Sequence, residues 1–178
     1  MNRSYLARSW ISPKLVGGAS PIHGEGVFAT VPIACGEKLM EFGGEKISFE
    51  QALSDDYRAC SVWLAADGMY LALPVSDPEP SLDENLNHSC DANAWLIDDV
   101  TLVARRDIAA GEEITLDQGT WNFDDAEYTW DKAACGCGAR DCRKTLTETD
   151  WMLASVQARY KGHFHPVVQA MIDKQETR

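Results

Sequence analysis

The chain has no hydrophobic run approaching the ~18 consecutive apolar residues that a membrane helix needs. Its first residues, MNRSYLARSWISPKLV, contain no unbroken apolar h-region of a secretory leader, so a soluble, cytoplasmic protein without membrane contact is expected. Positive charge is also scarce. Sixteen Lys and Arg face 28 Asp and Glu, a net charge of -12, and a phosphate backbone calls for the opposite balance, so nucleic acid is not expected as a direct ligand. An acidic surface keeps a protein in solution and is compatible with a basic partner. Repeats and low-complexity tails are missing. So is Cys-x-x-Cys, the usual spacing of dithiol redox chemistry.

What is present suits one domain with a real core: 178 residues, 45% hydrophobic, six Trp. The pattern is mostly β. GVFATVPI and KLMEF are short β-branched or aromatic runs broken by Gly and Pro, spaced like antiparallel strands. Residues 94–97 and 100–104 flank Asp98-Asp99 and read as a hairpin with a two-residue turn, although Asp-Gly would be the better turn pair. Ser48 followed by Gln51 resembles a capping box opening a helix that runs to Tyr57. A second helix is expected over about Thr149–Tyr160 and a third after Pro166, which suits a first helical turn. The expected class is α+β, β-rich, with a helical C-terminal segment. GEGVFA formally fits a dinucleotide-binding fingerprint, but that motif requires a helix to follow. TVPIACGEKL follows instead, so a strand and turn are expected and the nucleotide reading fails.

Six cysteines in a chain of this kind point to metal or reactive thiols more than to disulfides. Cys35 and Cys60 stand among apolar neighbours and are expected in the core. Cys135, Cys137 and Cys142 form CGCGARDC. Three thiolates so close repel one another and are stabilised by Zn2+, which takes four tetrahedral ligands in a structural site. The fourth must come from elsewhere, and Cys90, which closes the polar cluster NHSC at residues 87–90, is the best candidate.

HGEGVFAT, NHSCDAN, ARRDIAAGEEITLD and CGCGARDCR, in that order over roughly residues 16–147, resemble the SET-domain protein methyltransferases with their post-SET zinc motif. The tail WMLASVQARYKGHFHPVVQAMI is similar to the helical extension of small bacterial SET proteins. The resemblance implies a SET fold of short antiparallel strands and hairpins with a knot-like crossing. It divides the chain into a SET domain (1–130), a post-SET zinc loop (131–147) and a C-terminal helical extension (148–178). It implies methyl transfer from S-adenosylmethionine to a protein lysine. Asn87 and His88 would contact that cofactor. His23, Gly24, Glu25 and Gly26 would lie against its methionine part and Leu146 would pack on the adenine. Cys90 would join Cys135, Cys137 and Cys142 on zinc.

The chain departs from the family at the lysine channel. The usual Glu-Leu/Ile-Thr-Tyr/Phe-Asp-Tyr reads Glu113-Ile114-Thr115-Leu116-Asp117-Gln118. Leu116 and Gln118 therefore replace two channel aromatics at the catalytic positions. Gln can still orient a polar nucleophile but cannot reproduce a phenol. Tyr70 or Tyr128 would have to fold back to supply one, or else packs in the core. The substitutions leave open a basic protein or peptide substrate, a small-molecule substrate, conversion of the cofactor itself, or a module that binds without turnover; the oligomeric state is also open. Trp121, Trp130 and Trp151 either wall the cofactor or substrate pocket or pack in the core. His163 and His165 are a weak metal pair, and Asp55-Asp56 and Asp124-Asp125 are solvated loop acids or grips for a basic peptide.

Overall fold

The computed structural model describes residues 3–123 and 133–176. Tyr128, Trp130, Asp124 and Asp125 lie outside the described residues.

Among the described residues, two four-stranded sheets carry the architecture. In the first, Thr101–Ala104 lies between Lys38–Glu41 and Ala94–Leu96, and Trp10–Ile11 pairs on the outer side of Lys38–Glu41. Every residue of Thr101–Ala104 is buried, as a strand with partners on both sides and packing on both faces requires. In the second, Leu15–Ala19 and Glu25–Ala29 form a hairpin, followed by Glu113–Leu116 and then Asn87–His88. All these pairings are antiparallel except the last: Thr115 and Leu116 run parallel to Asn87 and His88. A smaller sheet places Tyr70–Ala72 between Glu45–Ile47 and Trp63–Leu64. Val27, Leu39, Met40, Leu71, Leu96, Leu102 and Ile114 bury their side chains in one shared core between these sheets.

Glu25–Ala29 of GEGVFA is strand, with Gly26 to Ala29 antiparallel to Leu15 to Gly18, so no helix N-terminus follows the glycines. The helix at Phe49–Ala52 opens with the expected capping box: Ser48 Oγ accepts from the Gln51 N–H and Gln51 Oε1 accepts from the Ser48 N–H. It runs only one turn, short of Tyr57. The Asp98-Asp99 hairpin is one residue longer than expected, closing with an Ile97 N–H to Thr101 O bond. Asp98 accepts from the N–H groups of Val100 and Thr101 at 2.9 and 2.7 Å. Asp99 is buried and accepts from Tyr5 Oη at 2.7 Å and the Ala66 N–H at 3.0 Å. Gly at either place would lose these bonds.

The C-terminal segment is helical but interrupted. Leu153 is extended (φ -69°, ψ 125°) between a 3-10 turn at Asp150–Met152 and the helix Ala154–Arg159. A helix over Pro166–Glu176 follows. Trp151, Val156, Tyr160, Phe164, Val168 and Ile172 bury a second core against Ala92. No described helix is long and apolar enough to cross a membrane.

The two core assignments for cysteine are corrected, because both thiols are exposed. Cys35 precedes Gly36 in a turn where the chain reverses, its Sγ 3.3 Å from Arg105 O. Cys60 sits in a 3-10 turn at Ala59–Ser61 with its thiol on Glu84 Oε2 at 3.2 Å. Apolar sequence neighbours do not bury a side chain at a turn. His163 and His165 are packing residues. His163 stacks on Trp95 with ring centroids 3.5 Å apart. His165, 1% exposed, lies 3.0 Å from Leu64 O through Nε2 and accepts from the Val167 N–H through Nδ1. A carbonyl can only accept, so Nε2 carries the proton and Nδ1 caps the helix that starts at Pro166.

Burial holds the pKa of His165 below its ordinary 6.5. The histidine is therefore neutral when folded and protonates more readily when unfolded. Its contribution to stability is complete above about pH 6.5 and is lost as pH falls below it, at up to ~1.4 kcal/mol per pH unit. Thermal melts between pH 7.5 and 5 should show a steeper acid-side loss for the wild type than for His165→Asn, which keeps a capping oxygen but does not titrate.

Candidate functional site

The parallel pairing of residues 87–88 with 115–116 determines the site, because it brings NHSC alongside the end of the Glu113–Leu116 strand. At that end the chain turns into a 3-10 segment, Gln118–Thr120, capped by the side chain of Asp117. A cavity of about 100 Å3 opens there. Leu116, Gln118, His88 and Trp121 line it, together with Phe42, Trp63, Asp83, Glu84 and Cys60. The expected catalytic positions Leu116 and Gln118 thus meet in one pocket. Tyr70 does not line it: it lies in the small sheet opposite Ile47 and Leu64, its ring 5.8 Å from Phe49. Trp151 is buried in the second core. Asp55 and Asp56 are exposed.

Asn87 organises the expected cofactor loop. Its Nδ2 lies 3.1 Å from His23 O, 2.9 Å from Glu25 O and 2.8 Å from Glu113 Oε1. One side-chain amide therefore holds the 23–25 backbone against the Glu113–Leu116 strand. Gly24 has φ +50°, and a Cβ on Gly26 would collide with the Glu113 carboxylate. Gly26 thereby lets the Glu113 carboxylate approach the backbone closely. Leu146 is buried on the short strand Thr145–Leu146, which pairs with Ala133–Ala134.

Around His88, which the cavity also touches, thiols converge. His88 Nε2, Cys90, Cys135 and Cys137 place one ligand atom each within 4.8 Å of one another. The Cys90 and Cys135 sulfurs are 3.8 Å apart. Burial drives the Cys90 thiol pKa up and pushes that of Cys135 up to about 11. Burial also raises Cys137, but N–H groups of Cys90 and Ala139 and the Cys135 and Cys142 thiols outweigh it and bring it down to about 7. Thiols held this close, with one already near its thiolate form, suit a soft cation such as Zn2+.

His88, which lies in the cluster, and Cys142, beside it on the thiol loop, are the two candidates for the fourth position. Burial lowers the His88 pKa to about 4, so the ring is neutral. Its Nδ1 accepts from the Gln118 N–H at 3.1 Å. With Nδ1 accepting, the one ring proton sits on Nε2, facing Cys90 Sγ at 3.3 Å; ligation of a metal through Nε2 would require the other tautomer, with Nδ1 protonated toward Asp117 Oδ1 at 3.7 Å. Cys142 shares hydrogen bonds with Cys135 and Cys137 and is the all-thiol alternative to His88.

The residue between Leu116 and Gln118 was not singled out by sequence. Asp117, 0% exposed, takes a two-pronged contact from Arg143, with Nη1 to Oδ2 at 2.8 Å and Nη2 to Oδ1 at 2.6 Å. Arg143 Nε lies 2.8 Å from Asp150 Oδ2, at an angle that makes it an ion pair rather than a hydrogen bond. The Arg143 N–H also donates to Cys90 Sγ at 3.3 Å. The thiol loop and the cavity wall are thus joined through one arginine. Asp83, Glu84, Phe42 and Trp63 were also missed; the only sequence signal near them is the Ser81/Glu84 capping pattern.

Elemental analysis of the purified protein should give about one zinc per chain. Cys90→Ser and Cys142→Ser should each lose it, while His88→Asn should retain it; retention by Cys142→Ser with loss in His88→Asn would reverse the ligand assignment.

Among curated proteins, the histone-lysine N-methyltransferase ATX2 of Arabidopsis thaliana is 28% identical over 152 residues, 77% of this chain and 13% of its own length. The probable histone-lysine N-methyltransferase set-23 of Caenorhabditis briggsae is 29% identical over 164 residues, 81% of this chain and 65% of its own. The chain thus spans less than two thirds of either relative. The methyltransferase domain of human histone-lysine N-methyltransferase SETMAR superposes with a TM-score of 0.52 at 21% identity, covering 69% of this chain and 54% of that one, a likeness of fold. The SET domain pattern matches residues 24–119, more than half of the chain, and the protein belongs to the SET domain family.

Proposed function

We propose that the protein transfers a methyl group from S-adenosylmethionine to the side-chain amine of a lysine in a basic protein or peptide, and that a structural zinc on the residue 135–142 loop supports the site. The observation that carries this reading is the parallel pairing of residues 87–88 with 115–116: His88 and the Gln118 turn border one cavity, while Asn87 on the same two-residue strand holds the 23–25 loop on the other side. The names of the relatives, histone-lysine methyltransferases, support a lysine substrate. The net charge of -12 suits a basic protein.

When bound, the cofactor supplies a methyl group on a positively charged sulfur. The chain's own task is to present the amine neutral and aligned. A lysine amine has an ordinary pKa near ~10.4 and is mostly charged at neutral pH. Phe42, Trp63, Leu116 and Trp121 exclude water from it, which favours the neutral form, against the Asp83 and Glu84 carboxylates in the same wall, which attract the charged one. The Gln118 backbone is fixed by its bond to His88, so its side chain starts from a defined position, and alignment of this kind is worth several kcal/mol. In this reading Gly24, Glu25, Gly26 and Asn87 form the cofactor cradle, and Asn87 acts by shaping the loop backbone.

Incubation with S-adenosylmethionine and two substrate pools, basic proteins and a small-molecule extract, should yield methyl-lysine and S-adenosylhomocysteine by mass spectrometry. Methylthioadenosine, or methylated small molecules without methyl-lysine, would sink the proposal. Asn87→Ala, which frees the 23–25 loop, should raise the KM for S-adenosylmethionine about tenfold or more, the order expected for losing hydrogen bonds that set a site; an unchanged KM would remove the cradle assignment.

A further inference from the structure

Away from the cavity, the hairpin that leads into the 20–25 loop has an open outer edge. The Thr30 N–H donates to Lys14 O and the Ser20 N–H to Gly24 O, each at 2.8 Å. Bonded pairs alternate along an antiparallel ladder, so Val16 and Gly18 turn their backbone groups inward to Glu25–Ala29, and Leu15, Gly17 and Ala19 turn theirs outward. The Leu15 N–H is used within its own turn, on Ser12 O at 3.0 Å. The N–H and C=O of Gly17 and Ala19, and the C=O of Leu15, have no hydrogen-bond partner among the described residues. Gly17 and Ala19 are exposed. Edge strands are ordinarily guarded by a charge, a proline or a bulge. LVGGA carries no charge and no proline, and its register with Glu25–Ala29 is unbroken.

We propose that this edge pairs with the same edge of a second copy of the chain, in a two-fold antiparallel dimer centred on Gly17. The free groups are self-complementary about that residue. Each Gly17 N–H donates to the Gly17 carbonyl of the other copy, and each Ala19 N–H to the other copy's Leu15 carbonyl, which uses every outward N–H that is free. Side chains fit the same register. Val16, 48% exposed, comes opposite Gly18, which has no side chain. The Phe28 ring lies 3.5 Å from where a Gly18 Cβ would be, so Val16 of one copy packs on Phe28 of the other. Lys14 comes opposite Ser20, whose hydroxyl is held on the Glu113 carboxylate at 2.8 Å. A cation thus approaches an anion at both ends, in a chain whose net charge of -12 otherwise repels its copy. A register with Gly17 opposite Ala19 also satisfies the free N–H groups, but it sets Val16 against Ser20 and Gly18 against Gly18, with no apolar contact. Five residues of edge cover less than the ~1,200 Å2 of a stable specific interface, so the dimer is reversible.

Sedimentation equilibrium of the whole chain, from about 10 µM to about 1 mM, should give an average mass that rises from one chain toward two, as a small interface requires. Amide hydrogen exchange by NMR over the same range locates the contact. The Gly17 and Ala19 amides, free in the monomer, should slow in proportion to the fraction dimerised, while Val16 and Gly18, bonded within the hairpin, should not respond. Val16→Lys places a charge on an exposed position, and Ala19→Pro removes an N–H that serves no bond within the chain, so both should fold, as spectral dispersion reports. Each should weaken association about tenfold or more. A chain that stays single up to about 1 mM, or a dimer whose Gly17 and Ala19 amides still exchange freely, would overturn the proposal. Both readings use the wild type and so do not depend on a variant's folding. Unchanged association of folded Val16→Lys would overturn the Gly17-centred register.

Discussion

A carboxylate fully removed from water has to be compensated, and at Asp117 the compensation comes from Arg143, on a different segment of the chain. Removing one partner of such a buried pair typically costs about 3–5 kcal/mol, because the other is left charged and unsolvated. The position of Asp117 gives this constraint its reach. It lies between Leu116 and Gln118 in the wall of the cavity, it caps the turn that presents Gln118, and its arginine emerges from the thiol loop. Burial alone would lower the Arg143 pKa, and Asp117 holds it above its ordinary value. The pair is an ionic joint between the thiol loop and the cavity.

A second joint works with neutral groups. His88 spans the short distance from the Gln118 backbone to the Cys90 sulfur, one ring nitrogen for each. Asn87, next to it, faces the other way and holds the glycine loop. Two adjacent residues on one two-residue strand therefore serve opposite sides of the site, as side chains that alternate along a strand must. The economy of NHSC follows: amide to the loop, imidazole to the turn and thiol to the cluster.

Local rules read the fold well where neighbours in sequence decide the outcome. The Ser48/Gln51 capping box, Pro166 at a helix start and the strand character of GVFA all depend on residues a few positions apart. The rules failed where partners come from a distance. Asp98-Asp99 makes a longer turn because Tyr5 and Ala66 claim the second carboxylate. Cys60 looked apolar in context but sits on a turn beside Glu84, and Leu153 breaks what reads as one continuous helix. In the site, the glycines, Asn87 and the cysteines were visible because each carries a distinctive side chain or conformational freedom. Asp83 and Asp117 were not, since nothing near an acidic residue in the sequence tells whether its oxygens will be solvated, paired or buried.

The thiol cluster also bears on the order in which the molecule assembles. Cys90 and Cys135 are 45 positions apart, so a metal that bridges them closes a long loop, whose entropic cost of roughly 4 kcal/mol falls on an unstructured chain but not on one whose sheets are already paired. Cys90 reaches its place only after residues 87–88 have docked in parallel beside 115–116, a non-local pairing of the slow kind. A metal taken up by this cluster would therefore enter late in folding, as a clasp on finished β structure and not as a nucleus for it.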